Sequence, residues 1–335
     1  MKSYYFSLIM PVYNSKETLD KAILSILNQS YDKFELIIVD DHSTDGSYEI
    51  SKKYANKSKN IKLIRMENNF GAPHCMNIGV KNSKYEWIGI IDSDAIEPKN
   101  WLEIVTKNMQ EGIDVIGGKY LYDRDECKSY FKKVYYFIET HSKRLKDEIY
   151  DKKNYREPKI MGGNFFFRKD VFNKNKGFDE SIRAGYDRLF LCNAIENGFR
   201  VKYVSNLFVY HPLYGYKNVF DIFKRGYTFN TWRVLMLKKS RLTSMLYRKI
   251  DYAVILMLSI FIPSILFLGI AKTLQLSFIS LILLFLLFTF YLNRRMSIPY
   301  IYTFGVVLVE IVKKLIAIWV YFFKLKPIGI DWKKR

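Results

Sequence analysis

The sequence predicts an α/β domain, with a mixed and mainly parallel sheet flanked by helices, followed by C-terminal transmembrane helices. Segments of strand and helix character alternate through the first 100 residues, which is typical of parallel strands joined by crossover helices. Hydrophobic residues make up 49% of the 335 residues, enough for a large core. Long runs that are nearly free of charge occur only near the C-terminal end of the chain.

The N-terminal elements follow from the spacing of apolar residues. FSLIMPVYN (6–14) predicts a strand that ends in a turn, and 16–29 places its apolar positions 19, 22, 23, 26 and 27 on one face of a helix. Further along, the pattern predicts strands over 34–47 (breaking into a polar turn), 61–67 and 87–92, and helices over 47–57 and 73–82.

Beyond residue 100 the pattern is looser. Strands with Gly-Gly pairs, where a backbone can approach a ligand closely, are predicted over 114–122 and 159–169. A helix is predicted from about Asp187 with Gly198 as its C-cap, and a strand follows it. The charged and aromatic 123–158 stretch has no assigned role.

The C-terminal part predicts a membrane region, 251–335. The runs 251–271 and 276–292 are long enough to cross a bilayer core of about 30 Å. Basic residues are concentrated in the juxtamembrane segment 221–250 and follow the second run, so the positive-inside rule puts the N-terminal domain (1–220) in the cytoplasm of a multi-pass cell-membrane protein. The 300–325 segment is either an interfacial helix, which its one-sided charges favour, or a third span.

Several classes of protein are disfavoured by composition and motifs. The net charge is +20, but no nucleic-acid recognition module accompanies it, so a nucleic-acid partner is not expected. The 3 cysteines are far apart with no CxxC, which disfavours a disulfide framework or a zinc site. Neither a P-loop nor a GxGxxG motif is present.

Carboxylates at the ends of strands suggest a binding site. Three predicted strands end in polar residues: Tyr13 and Asn14, then Asp40 and Asp41, then Asp92 and Asp94 on either side of Ser93. Ligands of parallel sheets bind beyond the carboxyl ends of the strands. Two acids separated by one residue suit Mg²⁺ or Mn²⁺, which often completes its shell with phosphate oxygens. A phosphorylated ligand is therefore expected, although solvated loop acids are the alternative.

The motifs PVYN, VDDHSTDGS and DSD, in that order, resemble the family 2 nucleotide-sugar glycosyltransferases, which are inverting enzymes with the GT-A fold. The resemblance covers 6–100 and, less strongly, 159–211. It implies a nucleobase pocket lined by Pro11 and Tyr13, with Asp41 accepting a hydrogen bond from a base N–H.

The same resemblance assigns the remaining site residues. Asp92 and Ser93 would lie beside the donor, with Asp92 near the ribose and the metal's water shell, and Asp94 would bind the metal. His211 could complete the metal shell, although a structural histidine is equally compatible with the sequence. Gly163 and Asn164 would border the sugar pocket. Asp187 would act as general base, with a helix N-cap as its alternative role.

Two departures from the family pattern affect the expected function. Met76 stands where relatives often have an arginine beside Asn77. Arg168 and Arg183 are candidate substitute cations, although the sequence favours surface positions for both. A QxxRW signature, which marks processive synthases, is absent from 224–234, so transfer of a single sugar is expected.

The predicted function is Mn²⁺- or Mg²⁺-dependent transfer of a sugar from a nucleotide-sugar to a hydroxyl of a membrane-associated, lipid-linked glycan. A polyprenyl phosphate is the alternative acceptor. It is already ionised near neutral pH and needs no base, whereas the presence of Asp187 favours a hydroxyl acceptor. More remote alternatives are a metal-dependent phosphohydrolase and a non-catalytic scaffold that binds nucleotide-sugars.

Overall fold

The computed structural model of the chain describes residues 3–123, 127–130, 132–134, 136, 146–154, 158–212 and 239. The predicted spans 251–271 and 276–292, the 300–325 segment and all of 221–250 except Lys239 lie outside the described residues. Among the helices in the described ranges, none has the length and hydropathy needed to cross a bilayer.

The described residues contain one mixed sheet of eight strands, in the order β3-β2-β1-β4-β7-β5-β8-β6. Neighbouring strands among β1 to β4 are parallel, as are β5 and β8, whereas β7 runs antiparallel to β4 and β5, and β6 antiparallel to β8. The strands are β1 (Phe6–Val12), β2 (Phe34–Asp40), β3 (Ile61–Arg65), β4 (Trp87–Ile91), β5 (Val115–Leu121), β6 (Glu148–Tyr150), β7 (Asn164–Arg168) and β8 (Val201–Tyr210).

Helices cover both faces of this sheet because its strands are apolar on both sides. On β1, Leu8 and Met10 pack into one buried cluster and Ile9 into the other, as alternation along a strand requires. The first cluster includes residues of α1 (Lys16–Leu27), α2 (Ser47–Lys57) and α4 (Trp101–Asn108). The second includes residues of α3 (Ala72–Lys81), α5 (Lys169–Asn175) and α6 (Tyr186–Glu196).

The predicted elements are present, with shifts of a few residues at their ends. The predicted 6–14 strand ends at Val12, and the 16–29 helix ends at Leu27. The strand predicted over 159–169 begins only at Asn164, because Met161 to Asn164 form a turn in which the Asn164 N–H donates to the Met161 carbonyl at 3.0 Å.

Strand register brings distant segments to one edge of the sheet. Val12 lies beside Asp40 in the parallel β1–β2 pair, so these two strands end together. The antiparallel β4–β7 pair places Ile91 beside Asn164, so the start of β7 meets the end of β4. Tyr210 at the end of β8 pairs both with β5 and, through an isolated bridge, with Ile96.

Candidate active site

The segment Asp92–Asp94 follows β4 and is tied to the start of α1. The Ser93 hydroxyl lies 2.6 Å from the Ser15 hydroxyl, and Thr18 Oγ1 donates to the Ser93 carbonyl at 3.1 Å. Ser93 is buried, whereas the flanking Asp92 and Asp94 are partly exposed. Ser93, predicted to contact the donor, is therefore placed where its side chain anchors this loop.

Asp92, Asp94 and His211 form a group that fits a divalent cation. One ligand atom from each lies within 4.8 Å of the others, and His211 Nε2 is 3.4 Å from Asp94 Oδ1 and 3.8 Å from Asp92 Oδ2. The His211 ring contacts the Pro212 carbonyl through Nδ1 at 2.8 Å. Donation from Nδ1 leaves Nε2 directed at the carboxylates, the orientation that a histidine ligand needs. Carboxylate oxygens with one imidazole suit Mn²⁺ and also accommodate Mg²⁺.

The charges within this group shift the pKa values of Asp92 and His211. Burial and the negative charge of Asp94 raise the pKa of Asp92 to about 6, against the opposing effects of His211 and Tyr120. Burial lowers the pKa of His211, but the hydrogen bond and charge of Asp94, together with the charge of Asp92, outweigh it and raise the pKa to about 9. Without a cation, His211 is therefore protonated at neutral pH and offsets part of the negative charge.

Tyr120, near the end of β5, contacts Asp92 and His211 of this group and was not predicted from the sequence. Its hydroxyl donates to Asp92 Oδ2 and accepts a hydrogen bond from the Gly163 N–H at 2.7 Å. Its ring stacks on His211, with centroids 4.4 Å apart and planes at 20°. Burial and the charge of Asp92 hold the pKa of Tyr120 well above its ordinary value, so the hydroxyl remains a donor. The signal available in the sequence was its position near a strand end at the polar edge.

Gly162 and Gly163 separate the metal-binding group from Asp187. A Cβ atom on Gly163 would lie 2.0 Å from Asp92 Oδ2, and one on Gly162 would lie 2.8 Å from Asp187 Oδ2. A side chain at either position would displace the neighbouring carboxylate, so the two glycines allow both carboxylates to approach this turn. Gly163 therefore lies beside Asp92, and its place in a sugar pocket stays a prediction.

Asp187 lies within the first turn of α6, which excludes its alternative role as N-cap. The helix begins at Tyr186, and the N-cap position is held by Gly185 with φ +80°. Burial raises the pKa of Tyr186 well above its ordinary value, and the next contributions come from the charges of Asp187, Asp92 and Asp94. The charges of all three carboxylates therefore act on this one tyrosine.

Asn164, which was predicted to border the sugar pocket, has its side chain in the interior of the fold. Its side chain is fully buried, and its Oδ1 accepts a hydrogen bond from Trp101 Nε1 at 2.9 Å. Its Nδ2 donates to the carbonyls of Lys119 (3.0 Å) and Leu207 (3.4 Å). Alternation along β7 turns this side chain into the interior, where it supports the strands beneath the site.

The ends of β1 and β2 form the other part of the site. The Asp41 N–H donates to the Val12 carbonyl at 2.7 Å, which places Asp41 next to Tyr13. Both Asp41 carboxylate oxygens accept backbone hydrogen bonds, from Phe70 and Gly71 at 2.8 Å each. Tyr13 and Pro11 are half-buried at the same edge. Asp41 therefore orders the loop before α3, and its proposed contact with a nucleobase would come in addition.

Of the two substitute cations predicted for the diphosphate, Arg168 does not lie at this edge. Met76 is buried, so no positive charge stands at that position. Arg168 pairs with Trp87 at the start of β4, the opposite end of the sheet, and forms ion pairs with Asp170 and Asp114. Arg183 is exposed on the loop before α6.

Known proteins of similar sequence are glycosyltransferases. Glycosyltransferase GlyG of Streptococcus pneumoniae is 36% identical over 131 residues, which are 38% of this chain and 44% of that protein. The poly(ribitol-phosphate) beta-N-acetylglucosaminyltransferase TarS of Staphylococcus aureus is 27% identical over 212 residues, 62% of this chain and 35% of that protein. The chain thus spans less than half the length of both relatives.

Solved structures share the fold. The crystal structure of S. aureus TarS 1–349 in complex with UDP superposes with a TM-score of 0.54 at 23% identity, covering 71% of this chain and 66% of that one. The mannosyltransferase PcManGT from Pyrobaculum calidifontis, in complex with GDP-Man and Mn²⁺, gives a TM-score of 0.66 at 13% identity, covering 97% and 89%. At these identities the likeness establishes the fold, a mixed α/β domain of the GT-A type.

A family model, Glycosyl transferase family 2, matches residues 7–175. The match runs from β1 to the end of α5 and includes Asp41, Asp92, Asp94 and Gly163, whereas Asp187 and His211 lie beyond it. It leaves the phosphohydrolase alternative without support. Because the match covers half of the chain, this protein belongs to glycosyl transferase family 2.

Proposed function

We propose that the chain is a metal-dependent, inverting glycosyltransferase that moves one sugar from a nucleotide-sugar to a hydroxyl of a membrane-associated, lipid-linked glycan. The observation that carries this proposal is the position of Asp187. Its carboxylate lies against Gly162, and the adjacent Gly163 lies against Asp92 of the metal-binding group. A base on the other side of this two-glycine turn from the metal-binding group would be placed to accept the proton of a hydroxyl that attacks the donor sugar.

The donor would bind along the carboxyl edge of the sheet. Tyr13 and Pro11 offer a half-buried surface for the nucleobase, and Asp41 offers a carboxylate acceptor beside it. The contact between Ser15 and Ser93 joins this end of the edge to Asp92 and Asp94. Structural neighbours with UDP, UDP-GlcNAc and GDP-Man bound to the same fold support a nucleotide-sugar as the donor.

Asp92, Asp94 and His211 would hold Mn²⁺ or Mg²⁺. The bound cation would offset the negative charge that develops on the departing nucleoside diphosphate. His211 must bind through neutral Nε2, and the contact of its Nδ1 with the Pro212 carbonyl favours that tautomer.

The protein's own residues account for the displacement. Asp187 accepts the proton of the acceptor hydroxyl while that oxygen forms its bond to the anomeric carbon. The bond from the anomeric carbon to the diphosphate oxygen breaks in the same step, with its electron pair leaving on the nucleoside diphosphate. Attack from the side opposite the leaving group inverts the anomeric configuration, and no covalent enzyme intermediate is needed.

The membrane assignment rests on the sequence. The apolar runs 251–271 and 276–292 would anchor the chain, with the catalytic domain in the cytoplasm and the basic 221–250 segment near anionic headgroups. A lipid-linked acceptor would then be presented at the bilayer surface. A polyprenyl phosphate is the second candidate acceptor, because the same basic segment suits its phosphate.

Replacement of the base tests the proposal. The full chain is assayed with a panel of nucleotide-sugars, Mn²⁺ and lipid extracts, and nucleotide binding is measured in parallel. Asp187→Asn should keep nucleotide affinity and lose transfer by a factor of about 100 or more, whereas Asp94→Ala should lose metal-dependent nucleotide binding. Glu196→Gln, at the far end of the same helix, is the matched control and should transfer normally.

Three outcomes contradict parts of the proposal. Normal turnover by Asp187→Asn would remove the base and favour the phosphate acceptor. Unchanged nucleotide affinity in Asp94→Ala would remove the metal site. Nucleotide-sugar binding by a wild type that shows no turnover on any acceptor would support the non-catalytic scaffold.

A further inference from the structure

The Tyr120 hydroxyl joins two segments that are distant in sequence. It donates to Asp92 at the end of β4 and accepts from the Gly163 N–H before β7, which is 43 residues further along the chain than Tyr120. Gly163 in turn lies against Asp92, and its neighbour Gly162 lies against Asp187. One hydroxyl therefore links a carboxylate of the metal-binding group to the turn beside the base.

The Tyr120 ring also restrains His211. The two rings are stacked, and the His211 N–H is held to the Leu121 carbonyl at 2.9 Å, adjacent to Tyr120 in β5. The imidazole is thus fixed by a ring on one face, by its backbone, and by the contact between Nδ1 and Pro212. Tyr120 constrains two of the three residues in the group without being a ligand.

We propose that Tyr120 is a positioning residue, which holds Asp92 and His211 in the arrangement that a divalent cation requires and couples them to the Gly162–Gly163 turn. This inference rests on the proposed metal dependence and adds a residue to the site. Partners of metal ligands commonly contribute a factor of 10 to 100 in metal affinity, because they orient the ligands before binding.

The hydroxyl and the ring make separable contributions. In Tyr120→Phe the ring can still stack on His211, but Asp92 loses its donor and the Gly163 N–H loses its acceptor. Both groups can then adopt other positions, so the cation must order them when it binds. In Tyr120→Leu the stacking is lost as well, and the deficit should be larger.

The test is direct Mn²⁺ binding by the full chain, measured by titration calorimetry in the absence of any nucleotide. Tyr120→Phe should weaken Mn²⁺ binding by a factor of about 10 or more. Tyr203→Phe is the matched control, because it removes a buried tyrosine hydroxyl of β8 that has no hydrogen-bond partner among the residues the structure describes. Its Mn²⁺ affinity should equal that of the wild type.

A second measurement separates positioning from general damage. Thermal unfolding without metal should leave Tyr120→Phe within a few degrees of the wild type, while the additional stabilisation by Mn²⁺ should shrink. Wild-type Mn²⁺ affinity in Tyr120→Phe would overturn the role of Tyr120 and leave the proposed function intact. A wild type that binds no Mn²⁺, either alone or with a nucleoside diphosphate present, would overturn the metal dependence and this inference together.

Discussion

Glu97 is a buried acid whose protonation should make the stability of the chain depend on pH. Its side chain is 3% exposed, and its Oε2 accepts a hydrogen bond from the Ser25 hydroxyl at 2.6 Å. The other oxygen, Oε1, is buried and accepts no hydrogen bond from any residue in the described part of the chain. Burial raises the pKa of Glu97 to about 8; the hydrogen bond from Ser25 opposes this, and the charges of Asp92 and Asp94 add to it.

The direction of the effect follows from the number of protons bound. Between the unfolded pKa of about 4.3 and the folded pKa of about 8, the folded chain retains a proton that the unfolded chain releases. Stability therefore falls as pH rises through this window and is fully retained below it. From pH 6 to pH 8 the loss attributable to this one group is about 2 kcal/mol.

Glu97→Gln removes the titrating group and keeps its size. Between pH 6 and pH 8 the free energy of unfolding should fall by about 2 kcal/mol less in the variant than in the wild type. At pH 8 the variant should be the more stable of the two proteins. Urea unfolding of the full chain, followed by tryptophan fluorescence in the presence of a chelator, measures both values. The chelator keeps bound metal from changing the charges of Asp92 and Asp94.

Glu17→Gln is the matched control for this experiment. Glu17 is exposed on α1, the helix that also carries Ser25, so its carboxylate is hydrated in both the folded and the unfolded chain. The pH dependence of Glu17→Gln should match that of the wild type. An equal loss of stability in the wild type and in Glu97→Gln would refute the reasoning, because Glu97 would then be ionised in the folded chain.

Two further predictions concern the turn beside the site and the loop before α6. Gly163→Ala places a Cβ 2.0 Å from Asp92 Oδ2 and should weaken Mn²⁺ binding. Gly162→Ala displaces the Asp187 carboxylate and should lower kcat while keeping Mn²⁺ affinity. The reverse pattern would contradict the assignment of Gly163 to the metal-binding group and of Gly162 to the base. Asn77→Ala removes three hydrogen bonds to the 178–180 loop. It should lower the free energy of unfolding, measured by urea unfolding, by about 1–3 kcal/mol. An unchanged free energy of unfolding would mean that contacts other than those of Asn77 hold the loop in place.

Local patterns in the sequence determined the elements and most of the site. Apolar spacing located the strands and helices of the first 100 residues, because burial on a sheet or helix face imposes a fixed period. Polar residues after three strands indicated Tyr13, Asp41 and Asp94, because parallel strands end at one edge. These signals lie within short segments, so they can be detected without knowledge of the pairing.

Only the tertiary structure decided which distant segments meet. Because β7 runs antiparallel to β4, Gly163 lies against Asp92 and the side chain of Asn164 points into the interior. Gly163 and Asn164 are adjacent in the sequence, which had suggested that both border the same pocket. The hydroxyl of Tyr120 reaches Asp92 because β4 and β5 lie on either side of β7 in the sheet. The buried Glu97 accepts its hydrogen bond from Ser25, which lies 72 residues earlier in the chain. The physical reason is that side-chain orientation and burial depend on strand order and direction, which arise from pairing between segments far apart in the chain.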